Sequence, residues 1–318
     1  MELREELRRS ILALIKDKAD PLDGFYASDD TKEAILAVMI SGRHLLLEGP
    51  PGTGKTTLAK ILASHLKTVD AVAGCRYNCD PKSPQCPDCL GGRTGPEIVK
   101  IPGNKRFVRV QGSPELMPED LLGDIDPVVA MQCGIHDPRA FTPGKIQRAH
   151  RKILFIDELN RVPERTQNTL IEVLEEKTTT IAGFDIHIPV DTIVIATQNP
   201  EEYAGADRIS QTLGDRFERI WIGYPTAEQE VAILKRYARR FRGLKFDDGL
   251  LPEVVRISQS TRANEDFARA ASVRGTIATF EQSQAIAQLR GRGSVSREDI
   301  EKAARISLQG RIYLPCKP

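Results

Sequence analysis

Residues 49–57 read Gly49-Pro50-Pro51-Gly52-Thr53-Gly54-Lys55-Thr56-Thr57 and come directly after the apolar run His44 to Leu47. A strand-like run feeding G-x-x-x-x-G-K-[ST] is the arrangement in which a glycine-rich backbone cradles a polyphosphate. The glycines at 49, 52 and 54 let the main chain come close to the phosphates. Lys55 can reach the β and γ phosphates, and the Thr56 hydroxyl can ligate Mg²⁺. Leu58 to Leu66 reads as a helix, which puts an anion-favouring helix N-terminus at the end of the loop. Residues 49–57 are therefore expected to hold a nucleoside triphosphate and its magnesium ion.

Outward from this loop, short apolar runs alternate with helical segments. The runs are His44 to Leu47, Phe107 to Val110, Ile153 to Ile156, Thr192 to Ala196 and Arg219 to Ile222. Each is too short for a helix and rich in Val, Ile, Leu or Phe. Strands alternating with helices predict an α/β fold with a parallel five-stranded sheet. After Pro225 the pattern turns helical, with capping-box starts at Thr226 with Gln229 and at Ser296 with Asp299, and breaks at Gly291 and Gly293. The expected organisation is a nucleotide domain over 1–224 and a smaller all-α lid over 225–318.

About 100 residues after the loop, Ile153-Leu154-Phe155-Ile156 ends in Asp157-Glu158. A buried strand would deliver both carboxylates to the phosphates: Asp157 to hold Mg²⁺, Glu158 to polarise the attacking water. The combination implies hydrolysis as well as binding.

The chain has 318 residues, 40% of them hydrophobic, and a formal net charge of +1. That length can bury a substantial core, and the balanced charge gives no reason to expect nucleic acid or an anionic membrane as the main partner. Met1 to Lys18 mixes Glu and Arg with Leu and Ile at helical spacing, unlike a signal peptide, and Ala34 to Gly42 is too short to span a bilayer. The expected location is the cytoplasm.

Four of the six cysteines crowd into one stretch, Cys75-x3-Cys79-x6-Cys86-x2-Cys89, while Cys133 and Cys316 stand apart. Thiolates so spaced can converge tetrahedrally on a structural Zn²⁺. An iron–sulfur cluster and thiols without metal are the alternatives, and a reducing compartment argues against disulfides. The segment should project as a surface loop too small to hold its shape without a metal.

In order along the chain stand the phosphate loop, Ile153 to Glu158, Thr197-Gln198-Asn199-Pro200, Gly214-Asp215-Arg216-Phe217 and Ser272-Val273-Arg274-Gly275. In this series the chain resembles an AAA+ ATPase, and more narrowly the branch of MoxR proteins and the ATPase subunit of magnesium chelatase. The resemblance runs from about residue 20 to about residue 313. Pro118 to Gly123 and Ala140 to Gly144 match the branch's helix insertion, near 117–145, and Thr178 to Pro189 its extra hairpin, at 178–190.

The resemblance implies ATP as the nucleotide, Asn199 as the polar sensor that orients the water, Arg274 as the lid's second sensor, and Arg216 as an arginine finger entering a neighbouring subunit's site. Gln198 competes with Asn199 if the register shifts by one, and Arg208 and Arg219 compete with Arg216. A finger supplied in trans requires head-to-tail contacts, and the family suggests a hexameric ring. The implied work is remodelling of a partner: a magnesium or cobalt chelatase subunit, or, for a MoxR-type chaperone, a von Willebrand factor A domain protein. A DNA motor fits less well, because Thr178 to Pro189 has no Lys or Arg with which to track a backbone.

Overall fold

A computed structural model describes residues 2–135, 137–180, 187–199, 209–263 and 270–312. The chain forms two compact units, one of Met1–Phe25, Asp29–Gly49 and Lys55–Trp221, the other of Tyr26–Ser28, Pro50–Gly54 and Ile222–Pro318. The strands are β1 (His44–Glu48), β2 (Val69–Val72), β3 (Ile98–Ile101), β4 (Phe107–Gln111), β5 (Gly123–Ile125), β6 (Phe141–Pro143), β7 (Lys152–Asp157), β8 (Thr178–Thr180), β9 (His187–Pro189), β10 (Thr192–Gln198) and β11 (Phe217–Trp221). The helices of the first unit are α1 (Leu3–Lys16), α2 (Asp29–Ile40), α3 (Lys55–Ser64), α4 (Pro87–Leu90), α5 (Pro118–Leu122), α6 (Pro127–Cys133), α7 (Lys145–Arg148), α8 (Glu164–Glu176) and α9 (Gln211–Gly214). Those of the second are α10 (Ala227–Tyr237), α11 (Leu251–Ser260), α12 (Val273–Leu289) and α13 (Arg297–Gln309). Among the described residues no helix is long and apolar enough to cross a membrane.

The five apolar runs are the five strands of one parallel sheet, in the order β11-β1-β10-β7-β4. Leu45 to Leu47, Ile153 to Phe155 and Ile193 to Ala196 are fully buried, as strands covered on both faces require. The helix after the phosphate loop begins at Lys55, earlier than its apolar spacing suggests. Gly54, at φ 89°, turns the chain straight into it. A buried bidentate pair ties α1 to the sheet: Arg106 Nη1 and Nη2 donate to the Glu6 carboxylate at 2.6 and 2.9 Å.

Two histidines of this unit accept hydrogen bonds from the backbone, His44 buried and His150 half-buried. Val194 N–H donates to His44 Nδ1 at 3.0 Å, and Asp191 N–H to His150 Nδ1 at 3.1 Å. Burial, assisted by the charge of Arg4 at one and Arg151 at the other, pushes their pKa values down to about 3 and about 4. Both are neutral in the folded state, whereas the unfolded chain takes up protons below about pH 6.5. Stability is thus complete above that pH and falls as the pH drops toward the folded values, by up to about 1.4 kcal/mol per pH unit per histidine. Urea midpoints measured at pH 7.5 and pH 5 should show the loss; equal midpoints would contradict it.

The second unit packs its four helices around Leu234, Leu251, Val254, Val255, Phe280 and Ile300. Both expected capping boxes form: Thr226 Oγ1 accepts from Gln229 N–H at 3.3 Å, and Ser296 Oγ from Asp299 N–H at 3.4 Å. Gly291, at φ 66°, ends α12. The buried Glu230 accepts from Arg262 Nη1 and Nη2 at 2.8 and 2.9 Å and from the Thr276 hydroxyl. Replacing Glu230 with Ala would strand a nearly buried guanidinium, and we expect a loss of about 3–5 kcal/mol, read by chemical denaturation. A loss below about 1 kcal/mol would show that water replaces the carboxylate easily.

Candidate functional site

Sheet order decides which residues meet in the first unit. At the carboxyl ends of the strands, Glu48 of β1 pairs with Gln198 of β10, Ala196 of β10 with Ile156 of β7, and Asp157 of β7 with Gln111 of β4. Neighbouring strands lie about 4.8 Å apart. The start of the phosphate loop, Asn199, the Asp157–Glu158 pair and Gln111 therefore form one row along one edge of the sheet. Ligands of open α/β sheets bind at this edge, where the strand order reverses. Here the reversal falls between β1 and β10.

At that edge Gly49 N–H donates to the Gln198 carbonyl at 3.3 Å, and Lys55 Nζ donates to the Gly49 carbonyl at 2.8 Å. Gly49 has φ 143° and Gly52 φ 80°, conformations that glycine adopts without strain. Within the second unit, a Cβ at Gly52 would lie 2.9 Å from Ser272 Cβ and Oγ and 3.6 Å from Arg274 Cγ. The middle of the loop thus rests on the first turn of α12, the turn that carries Arg274.

Asp157 and Glu158 are held by residues that sequence reasoning gave no role. Thr197 Oγ1 donates to Asp157 Oδ1 and accepts from Glu158 N–H, both at 2.8 Å. Arg109 Nη2 donates to Asp157 Oδ2 at 2.6 Å. The Glu158 carboxylate accepts from Gln111 Nε2 at 3.2 Å and from Arg161 Nη1 at 3.0 Å. Glu158 itself is left-handed, φ 58° and ψ 53°, which ends β7 and turns its side chain out of the strand's alternation. Gly112 makes room for that turn, since a Cβ there would come within 2.2 Å of the Glu158 carbonyl.

The arginines separate by position. Arg216 precedes Phe217, which pairs with His44 at the start of β1, so it lies at the edge of the sheet opposite the phosphate loop. There it is tied to the Glu175 carboxylate and the Thr212 carbonyl. Arg219 pairs with Leu46 in the middle of β11, with Nη1 3.9 Å from Glu48 Oε1. Arg208 lies outside the described residues. Gln198 and Asn199 are both buried, Gln198 as the last residue of β10 and Asn199 as the first beyond it.

The four clustered cysteines converge. Their Sγ atoms all lie within 4.8 Å of one another, with Cys75 and Cys86 at 3.7 Å. A tetrahedral ion with metal–sulfur bonds of about 2.3 Å has sulfur–sulfur edges of roughly 3.8 Å. The group could therefore hold one metal ion. Backbone N–H groups pin the sulfurs, Cys79 to Cys75 Sγ at 3.5 Å and Cys89 to Cys86 Sγ at 3.4 Å. Burial pushes the Cys89 thiol up to about 11, so a cation must displace its proton. Cys133 is a free thiol elsewhere, and Cys316 lies outside the described residues. Contrary to the expectation of a projecting loop, the segment packs inward: Tyr77, Cys79 and Cys86 share a small apolar cluster with Phe141 and Ile188.

A glycine-rich phosphate-loop sequence leaving a parallel sheet at its reversal point, with an acidic pair ending a nearby strand and a helical unit later in the chain, defines a P-loop ATPase. Family models agree: the ATPase family associated with various cellular activities (AAA) matches at residues 45–85 and 99–219, and the AAA lid domain at 259–318. The chain belongs to the AAA+ ATPases, within them to the branch of magnesium-chelatase I subunits and MoxR proteins, and it is an ATP hydrolase. The magnesium-chelatase 38 kDa subunit of Acidiphilium rubrum is 34% identical over 203 residues, covering 60% of this chain and 55% of that protein. Chaperone MoxR1 of Mycobacterium tuberculosis is 25% identical over 328 residues, covering 90% of this chain and 72% of that one. A structure of the complex between subunits BchI and BchD of magnesium chelatase has the same fold, with a TM-score of 0.51 at 20% identity over 93% of this chain and 97% of that one.

Proposed function

We propose that this chain is the motor subunit of a chelatase-type assembly, a cytoplasmic ring of six copies that hydrolyses ATP to remodel a separate protein subunit. The observation that carries the reading is the split of the machinery between opposite edges of the sheet. Nucleotide loop and acidic pair stand on one edge and Arg216 on the other, so a complete site needs a second copy in head-to-tail contact. Lys55 would bind the β and γ phosphates, with Gly49 to Thr57 around them. Thr56 and Asp157 would hold Mg²⁺, which lowers the charge on the phosphates. Glu158 would take the proton of the attacking water, Asn199 would orient that water, Arg216 would neutralise charge across the interface, and Arg274 would read the phosphates from the lid. In this reading the domains are 1–224 and 225–318.

The cysteine cluster we assign to a structural Zn²⁺. Four protein ligands leave no open position for water, and the short sulfur spacing suits one ion better than a multinuclear cluster, whose thiolates sit on different metal atoms. The chelatase relative's higher identity favours a chelatase subunit as partner. The similarity to chaperone MoxR1 supports the second reading, a chaperone that works with a von Willebrand factor A domain protein.

The test is ATP turnover of the purified chain as a function of its concentration, together with affinity capture from its native cytoplasm. Turnover per subunit should rise with assembly, and a chelatase subunit or a von Willebrand domain protein should be recovered. Turnover independent of concentration in a monomer, or stimulation by single-stranded DNA with no protein captured, would overturn the proposal.

A further inference from the structure

The cysteine cluster lies where two small ribbons of the first unit need support. β5 pairs with β6 and β8 with β9, each a two-stranded antiparallel ribbon of three-residue strands. Ribbons this short are marginal by themselves and must take their stability from what they pack against. Each sends one buried side chain into the same apolar cluster, Phe141 from β6 and Ile188 from β9. Two of the other three buried members are Cys79 and Cys86.

Polar contacts reinforce the same junction. Arg76 Nε donates to Asp88 Oδ2 at 2.8 Å, and its Nη2 reaches both Asp88 Oδ1 at 3.0 Å and the Phe141 carbonyl of β6 at 3.1 Å. Asn78, left-handed at φ 56°, donates through Nδ2 to the Arg148 carbonyl at 3.0 Å. Arg93 also pairs with the buried Asp88. A divalent ion with four thiolates is net negative, and Arg76 with Arg93 outnumbers Asp88 beside it.

We propose that the metal held by Cys75, Cys79, Cys86 and Cys89 is the fastening for both ribbons, so that metal loading decides whether β5–β6 and β8–β9 are ordered. The inference rests on the reading that this cluster binds a metal. With the ion bound, Cys79 and Cys86 are fixed and present a rigid apolar seat to Phe141 and Ile188. Without it four thiols, two of them buried, lose their common centre, and a seat of so few side chains is too small to keep its shape. The sheet's site edge is built from β1, β4, β7 and β10 and does not depend on that seat.

Hydrogen–deuterium exchange on the full chain tests this, with metal content measured on the same samples. The comparison is protein as purified under reductant, protein stripped by a zinc chelator, and stripped protein given Zn²⁺ back. Stripping should speed exchange at 123–125, 141–143, 178–180 and 187–189 by about tenfold or more and leave α11 and α12 unchanged, and added Zn²⁺ should restore protection. Ile188→Ala should loosen β8–β9 while the metal stays bound. Metal lost with no change in the ribbons would overturn the fastening and leave the zinc assignment standing. Protein that holds no metal even after Zn²⁺ is added would remove both.

Discussion

Glu158→Gln is expected to lower ATP turnover by about 10²- to 10⁴-fold while leaving nucleotide binding within a few-fold of the parent protein. Glu158 N–H is held by Thr197, which also donates to Asp157, so the backbone at the end of β7 is anchored independently of the Glu158 side chain. Gln has the same shape and can still accept through its carbonyl oxygen from Gln111 Nε2 or Arg161 Nη1. It has no carboxylate to take a proton from water. The left-handed backbone at position 158 is equally strained for both residues, so folding should change little. Turnover by phosphate release and affinity by a fluorescent ATP analogue separate the two effects. Parent-level turnover would take the base role away from Glu158, and loss of ATP binding would show that the residue shapes the pocket instead.

Arg216→Ala should cost on the order of 10³-fold or more in turnover, again with ATP still bound. Its own chain's acidic pair stands at the far edge of the sheet, so in the proposed ring the deficit arises in the neighbouring copy. Mixing makes this specific. Neither Glu158→Gln nor Arg216→Ala is active alone, yet a mixed ring contains interfaces in which an intact Glu158 meets an intact Arg216. Activity of the mixture well above the mean of the two pure variants is the expected result. A mixture as inactive as its components would mean that Arg216 acts within its own chain or only holds Glu175, its partner in the isolated copy. Arg219, already beside Glu48 in the same chain, should give no such complementation.

Much of this architecture could be read before any fold was known. The five strands, the phosphate loop, the acidic pair, the two capping boxes and the convergence of four cysteines all follow from patterns within a few residues of each other. Burial on both faces demands unbroken apolar runs, a phosphate demands glycines, and a tetrahedral ion demands closely spaced thiols. These are local constraints, and local sequence carries them. The inward packing of the cysteine segment is not legible in its own stretch, because Phe141 and Ile188, which receive it, are far away in the chain.

Composition and order along the chain thus determined the class of fold, the placing of two carboxylates at the end of β7 and the helical character of the second unit. Only the tertiary structure decided that Thr197 bridges Asp157 and Glu158, that Gln111, Arg109 and Arg161 hold the pair, and that Arg216 faces away from its own acidic pair. The physical reason is strand order: β10 lies between β1 and β7 although it follows both in sequence, and hydrogen bonds across a sheet depend on neighbours in space, which no short stretch of residues records.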